Sequence, residues 1–284
     1  PTDVRTMVLQ GDTLWIGSLN GLYTYQLKSR QLNHFDSKQT GLPHNTIYSV
    51  IQTKDNQIYI GTYNGLCRYV QASGKFENIL LPVNRGGSNL FVNSLLEDTT
   101  RQCIWIGMEG YLFQYNPTTG EMKAIEVFHN NSIKSLALDG DENLLAGTDN
   151  GLYVYQNDKE PLQHIIHDSR NIQSLTNNII WNIFSDQEHN IWLGTDYGIS
   201  LSRYNSALQF VPISQITGTG DGNQFYSLFR DSKGFYWFGG TNGVIRFTHP
   251  AGNKHDAIWY RMGDKNHPLS HNRIRHIYED REQQ

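Results

Sequence analysis

The sequence predicts an all-β chain built from repeated four-stranded units. Three observations predict it. The stretch Leu14-Trp15-Ile16-Gly17-Ser18-Leu19-Asn20-Gly21-Leu22-Tyr23-Thr24-Tyr25 returns as Ile58-Tyr59-Ile60-Gly61-Thr62-Tyr63-Asn64-Gly65-Leu66-Cys67-Arg68-Tyr69, and again around Trp105, Leu145, Trp192 and Trp237. The glycine of each copy falls at Gly17, Gly61, Gly107, Gly147, Gly194 and Gly239, with gaps of 44, 46, 40, 47 and 45 residues. A period of roughly 40–50 residues is that of a four-stranded propeller blade. Finally, 12% aromatic residues and 26 glycines suit short strands joined by tight turns. The fold class is therefore a β-propeller.

The second unit is the clearest. Thr46–Thr53 alternates and is rich in β-formers. Lys54-Asp55-Asn56-Gln57 supplies a polar turn and Ile58–Thr62 a second strand. Asn64-Gly65 is a hairpin turn, because both residue types tolerate positive φ. Leu66–Val70 and Lys75–Leu80 complete the unit. Asn-Gly recurs at Asn20-Gly21, Asn150-Gly151 and Asn242-Gly243, and unit five has Tyr197-Gly198 there. First strands are expected at Val4–Leu9, Phe91–Glu97, Ser132–Leu138, Ile179–Ser185 and Gln224–Arg230. A further one is expected at Arg273–Glu279, where the chain stops.

A single propeller domain over residues 1–284 follows, with blades near 1–40, 41–84, 85–129, 130–170, 171–217 and 218–266. Residues 267–284 add the first strand of a seventh blade, which reads as a truncated seven-bladed ring. Blades are sandwiched, so both faces of their middle strands are apolar. Trp15, Trp105, Trp192 and Trp237 are then packing residues, and the ruler glycines mark where a neighbouring blade comes close.

The net charge is -4, which argues against a nucleic-acid footprint. Cys67 and Cys103 sit in different units and read as small buried side chains. No apolar run approaches a membrane span, and no signal peptide is visible. The chain opens without methionine, as a processed protein or an excised piece would.

Some motifs carry a family likeness. Gly41-Leu42-Pro43-His44-Asn45-Thr46-Ile47, Asp186-Gln187-Glu188-His189-Asn190-Ile191-Trp192-Leu193-Gly194-Thr195 and Asn150-Gly151-Leu152-Tyr153-Val154-Tyr155 together resemble the two-component regulator propeller repeat. Pro268-Leu269-Ser270-His271-Asn272-Arg273-Ile274 fits the same opening. The resemblance implies the periplasmic sensor region of a hybrid two-component protein, and most resembles its first propeller. It implies neighbouring propeller and β-sandwich domains in the same chain and a homodimer of the full-length protein. It also implies a membrane span, a histidine kinase and a DNA-binding regulator downstream, so this segment itself touches neither membrane nor nucleic acid. The implied ligand is an oligosaccharide. Two units depart from the pattern: Leu144-Leu145-Ala146-Gly147 has no Trp, and Trp237-Phe238-Gly239-Gly240 has glycine for Thr.

A catalytic constellation is not legible: HExxH, paired CxxC, P-loop and GxSxG are all missing. Gly218-Thr219-Gly220-Asp221-Gly222 reads as an inter-blade loop rather than a phosphate cradle. His164, His167 and Asp168 have ligand-like spacing but read as a solvated edge. The turns Asp139–Asn143 and Asp186–Asn190 lack EF-hand spacing. No cofactor and no metal site is therefore expected. In a propeller, the loops into first strands and the second-to-third-strand turns share one face. That rim carries the ligand candidates His44, Asn45, Tyr63, Asn64, Trp181, Asn182, Tyr197, Asn223, Tyr226, Asn272, Arg273 and Arg275. Aromatic rings suit sugar faces, and amide and guanidinium groups suit hydroxyls. Asn45 and Asn272 have a competing role as loop braces, and Trp181 as core. The alternatives to a non-catalytic sensor are a lyase or glycosidase on the same fold, or a purely structural or dimerising propeller.

Overall fold

The computed structural model describes residues 3–83, 90–125, 128, 131–156, 159–204, 209–214, 223–248 and 257–279. These residues form six four-stranded antiparallel sheets, each with its strands in sequence order. Blade 1 is Val4–Gln10, Thr13–Ser18, Gly21–Gln26 and Leu32–Phe35; blade 2 is Ile47–Gln52, Ile58–Thr62, Gly65–Val70 and Lys75–Ile79. Blade 3 is Val92–Asp98, Cys103–Met108, Leu112–Tyr115 and Met122–Ile125; blade 4 is Ile133–Leu138, Leu144–Thr148, Gly151–Gln156 and Lys159–Ile165. Blade 5 is Ile180–Ser185, Ile191–Thr195, Gly198–Ser202 and Phe210–Pro212; blade 6 is Phe225–Arg230, Tyr236–Gly240, Gly243–Phe247 and Ile258–Tyr260. The chain divides into two compact units, Pro1–Ile133 and Lys134–Gln284. The Gly218–Gly222 loop lies outside the described residues.

Two side-chain types recur at the blade turns: a hydroxyl at the second-to-third-strand turn of blades 1, 2, 4 and 5, and an aspartate at the first-to-second-strand turn of blades 3 to 6, where blade 1 uses Gln10 and blade 2 Thr53. At the second-to-third-strand turn, the Thr62 hydroxyl donates to Gly65 O and accepts from Asn64 N–H. Thr148 and Thr195 repeat both bonds, and Ser18 serves blade 1. At the first-to-second-strand turn, an aspartate does the work. Asp186 Oδ1 accepts from Glu188 N–H and Asn190 N–H. Its Oδ2 accepts from Asn190 Nδ2, Trp192 Nε1 and Tyr236 O–H. Asp98 and Asp231 likewise take the Nε1–H of Trp105 and Trp237. The carboxylates of these turns are thus saturated by protein donors, which accounts for their residue type without a cation.

In unit 1–133, one apolar cluster spans blades 1 and 2 through Trp15, Ile47, Ile60 and Phe76, and another spans blades 2 and 3 through Tyr59, Val92 and Phe113. In unit 134–284, Leu145, Ile180 and Leu193 join blades 4 and 5, while Trp192, Phe225 and Phe247 join blades 5 and 6. Trp15, Trp105 and Trp192 are buried. Trp237 is only half-buried and lies beside Tyr260 and Arg246 of its own blade. Trp192 owes its burial to Tyr236, Phe238 and Phe247 of the following blade, and Trp237 has no such sheet against it among the described residues. Cys67 and Cys103 are buried free thiols; burial pushes Cys103 up to about 11 and Cys67 higher still.

The ruler glycines are points of close approach. A Cβ on Gly17, Gly61, Gly147 or Gly239 would lie 2.6–2.7 Å from a side-chain methyl of Ile47, Val92, Ile180 or Ile274. A Cβ on Gly194 would meet the Phe225 carbonyl at 2.6 Å. Each contact is with the next first strand. The first strand is also the free edge of its sheet, so some of its N–H groups have no ladder partner. The preceding blade supplies one: Leu95 N–H donates to Ser49 Oγ, and Ile183 N–H to Ser135 Oγ.

The expected alternation along first strands is corrected by a bulge. Ile47 pairs with Thr62 and Ser49 with Gly61, so Tyr48 is extra. The same register shift leaves Arg5, Asn93, Trp181 and Tyr226 extra in blades 1, 3, 5 and 6. One added residue returns the following apolar side chain to the core, which is why Ile47 and Val50, or Ile180 and Ile183, are buried at a spacing of three.

The seventh first strand is also corrected. Residues 273–279 form no ladder. A first strand pairs only with the second strand of its own blade, and none follows here among the described residues. The segment nonetheless docks as first strands do. Ile277 N–H donates to Ser227 Oγ, and Glu279 accepts from Ser232 N–H as Glu97 does from Lys54 N–H. Within it, His276 keeps some exposure, yet the surrounding protein removes enough water to push its imidazole from 6.5 down to about 4.

A histidine whose pKa falls on folding favours the folded state when neutral. Its contribution is complete above pH 6.5 and is lost as pH falls toward about 4. His276→Ser, the residue type at this station in blades 2, 3, 4 and 6, is expected to flatten the stability profile across that window by roughly 3 kcal/mol. Urea unfolding at both ends of the window checks this; an unchanged slope contradicts it.

Candidate functional site

The bulge decides which side chains are set apart from the blade cores. A bulged residue leaves the ladder and is re-aimed. In unit 134–284 the residues at this sequence position form a row. The Lys134 ammonium lies 4.8 Å from the Trp181 ring centre. Trp181 meets Tyr226 edge-on at 5.3 Å, and the Arg275 guanidinium lies 4.0 Å over Tyr226. Lys134 and Arg275 occupy the same sequence position in their units as Trp181 and Tyr226 in theirs. Cation–aromatic contacts of this kind attract a charge to the face of a ring.

The row is fixed from behind. Trp181 Nε1 donates to Asp196 Oδ1 at 2.9 Å, and Gln224 Nε2 donates to the same oxygen at 2.7 Å. Tyr226 O–H donates in turn to Gln224 Oε1. Asp196 belongs to the second-to-third-strand turn, so the turn and the bulge of one blade are tied to the bulge of the next. Two cations, two rings, an amide and a carboxylate in one row can bind a polar ring-shaped ligand.

In unit 1–133 a smaller group forms at the same stations. His44 and Tyr63 approach at 4.9 Å, Tyr63 packs edge-on against Phe91 at 4.4 Å, and Tyr48 lies 6.4 Å from Phe91. Partial burial raises the Tyr48 phenol, with Arg5 acting against it and Tyr63 with it.

Several rim residues are braces. Asn45 Oδ1 accepts from Ser37 N–H and Asn272 Oδ1 from Met262 N–H; Asn178, at the same station, accepts from His167 N–H. His44 Nδ1 accepts from Thr46 N–H. Asn223 is 3% exposed, and its Oδ1 accepts from the Thr241 hydroxyl and Asn242 N–H. It thereby replaces the threonine that blade 6 lacks, because Gly240 sits where a Cβ would strike the Gln224 carbonyl at 2.2 Å. Asn64 is exposed on its turn, and Tyr197 is 56% exposed on the equivalent turn of blade 5. Asn182 stands one place past the bulge opposite Gly194, and Arg273 is exposed with its N–H on His271 Nδ1. His164 stacks on Tyr153 at 4.1 Å and meets Asn150 O, repeating the arrangement of His34 with Tyr23 and Asn20 O.

The structure therefore brings together Trp181, Tyr226 and Arg275 from the expected set, and adds Lys134, Asp196 and Gln224. The missed residues had a signal. Apolar positions at i and i+3 in an otherwise β-rich run, as in Ile133 and Leu136, mark a bulge and point to the residue after the first apolar one.

The family model for the two-component regulator propeller matches residues 41–64, 174–197 and 219–242. Three of the six blades thus carry a segment similar to the two-component regulator propeller repeat. Each matched repeat runs from the loop before a first strand to the second-to-third-strand turn, and so contains both sides of the rim. Over its whole length the chain is 82% identical to the extracellular domain of the putative hybrid two component system BT4673 from B. thetaiotaomicron, with a TM-score of 0.71. It covers 38% of that structure's chain. It is 26% identical over 278 residues to Histidine kinase P4 of Formosa agariphila, covering 86% of this chain and 19% of that protein. Virginiamycin B lyase from Staphylococcus aureus, 12% identical with a TM-score of 0.67 over 96% of this chain and 89% of its own, shares the fold alone. The chain thus spans well under half of the two-component relatives it matches.

Asn223→Ala leaves the Asn242 N–H and the Thr241 hydroxyl without their acceptor. A loss of about 1–3 kcal/mol is expected, read as a lower thermal midpoint. An unchanged midpoint would show that the turn does not depend on this side chain.

Proposed function

We propose that this chain is the non-catalytic, extracytoplasmic sensor propeller of a hybrid two-component protein. The observation that carries the reading is 82% identity, without a gap in coverage of this chain, to an extracellular domain of that class. On this reading the protein detects an oligosaccharide outside the cytoplasm and biases a histidine kinase phosphorelay that controls transcription of glycan-use genes. Further propeller and β-sandwich domains and a second copy of the chain complete the sensor.

The row Lys134–Trp181–Tyr226–Arg275 is the contact surface we favour for the ligand. Its groups hydrogen-bond and stack. The one carboxylate behind it, Asp196, accepts two protein hydrogen bonds through Oδ1, which suits an orienting group better than a general acid or base. Tyr63 and His44 offer a second such surface in the other unit.

Calorimetry on the whole extracellular region with a panel of plant and host glycans tests the reading. At least one oligosaccharide is expected to bind, and Trp181→Ala to weaken it by about tenfold or more, ~1.4 kcal/mol. Trp181→Phe keeps a ring but loses the bond to Asp196, and is expected to fall between. Failure of every glycan to bind sinks the sensor reading; wild-type affinity in Trp181→Ala sinks the placement.

A further inference from the structure

Blade 5 departs from its siblings at one turn residue. The residue before the turn glycine is Asn20, Asn64, Asn150 and Asn242 in blades 1, 2, 4 and 6, but Tyr197 in blade 5. Neither asparagine nor Tyr197 takes a positive φ there, the glycine that follows being the residue that does, so the backbone accepts either side chain. The turn itself is unchanged: Tyr197 N–H still donates to Thr195 Oγ1, as Asn64 N–H does to Thr62 Oγ1. Nothing in the blade requires the ring, which is 56% exposed. A large exposed ring that the turn does not need points to a contact made outside the fold.

The ring is one wall of a groove of about 360 Å³. Ile172, 78% exposed, Leu175 and Pro212 supply the rest of its apolar lining. Polar groups border it with capacity left over. His167 uses Nδ1 toward Leu175 O, which leaves Nε2. Asn171 uses Oδ1 for Gln173 N–H, which leaves its amide N–H groups. The Ser214 hydroxyl also lines the groove. An aromatic face beside scattered donors and acceptors matches one pyranose ring, whose C–H face is apolar and whose edge carries hydroxyls. The volume lies at the small end of ligand pockets. Tyr197 directly follows Asp196, which holds the Trp181 Nε1–H.

We propose that the groove between Tyr197 and Ile172 is a subsite for a single sugar ring, stacked on Tyr197. This rests on the sensor reading above and adds a place for one residue of the glycan. Tyr197→Asn installs the residue of the sibling turns, so it keeps the turn while removing the platform. Ile172→Ser changes a second lining residue at a solvent-exposed position.

The test is saturation-transfer NMR on the whole extracellular region with common pyranose monosaccharides and their disaccharides, in parallel with the glycan calorimetry. A pyranose is expected to receive saturation mainly at its C–H face, and both variants are expected to lose that signal with unchanged thermal midpoints. Affinity for the longer glycan should fall about tenfold in Tyr197→Asn. If that glycan binds both variants as it binds the wild type, the subsite is wrong and the sensor reading stands. If Tyr197→Asn instead changes the sedimentation of the extracellular region without changing sugar binding, the groove is a docking surface and the proposal is overturned. Binding of no pyranose to the wild type overturns it as well.

Discussion

The fold rests on how closely successive first strands approach. A glycine in each second strand lets the next first strand come within van der Waals contact of the backbone; Gly61 with Val92 and Gly194 with Phe225 are examples. That approach has two consequences. It leaves edge N–H groups facing the preceding blade, where Ser49 and Ser135 accept them. It also makes a regular strand unsuitable, since strict alternation would turn Val50 or Ile183 out of the core. The bulge resolves this by adding one residue, and that residue is the one set apart from the packing.

Structure and function are therefore assigned to different positions of one repeat. The stations repeated with the same chemistry hold the blade: the turn aspartate with its tryptophan, the turn threonine, the brace Asn45 and its equivalents. The stations where chemistry varies are the bulge and the turn residues beside the glycine. Arg5, Tyr48, Asn93, Lys134, Trp181, Tyr226 and Arg275 share one station and almost no chemistry. Variation at a geometrically fixed place is what a scaffold for different ligands requires.

Much of this was legible in the sequence. The period, the Asn-Gly turns and the ruler glycines gave six blades, and first-strand bounds agree to within a residue or two. The signature tryptophans were correctly read as packing for Trp15, Trp105 and Trp192. Trp237 packs on Tyr260 and Arg246 with its Nε1 on Asp231 but stays half-buried, because full burial depends on the following blade and not on the residue's own strand. The candidate site was legible only in part. Trp181, Tyr226 and Arg275 stand out as aromatic or basic groups near loop ends. Lys134 does not, because it has the same look as any solvated lysine until the fold places it over an indole. Asn223 misleads in the opposite direction: it reads as a rim amide, yet Gly240 removes a threonine on the neighbouring strand and Asn223 takes over its bond. Such compensation is tertiary and leaves no local mark.

The central claim is that ligand contact belongs to the variable stations and not to the repeated signature. Hydrogen–deuterium exchange on the whole extracellular region, with and without a bound glycan, tests it directly. The account predicts new protection confined to peptides carrying Lys134, Trp181, Asp196–Tyr197 and Tyr226. Protection instead at the repeated cores, such as Leu14–Tyr25 or Ile191–Thr195 without its turn, would contradict it.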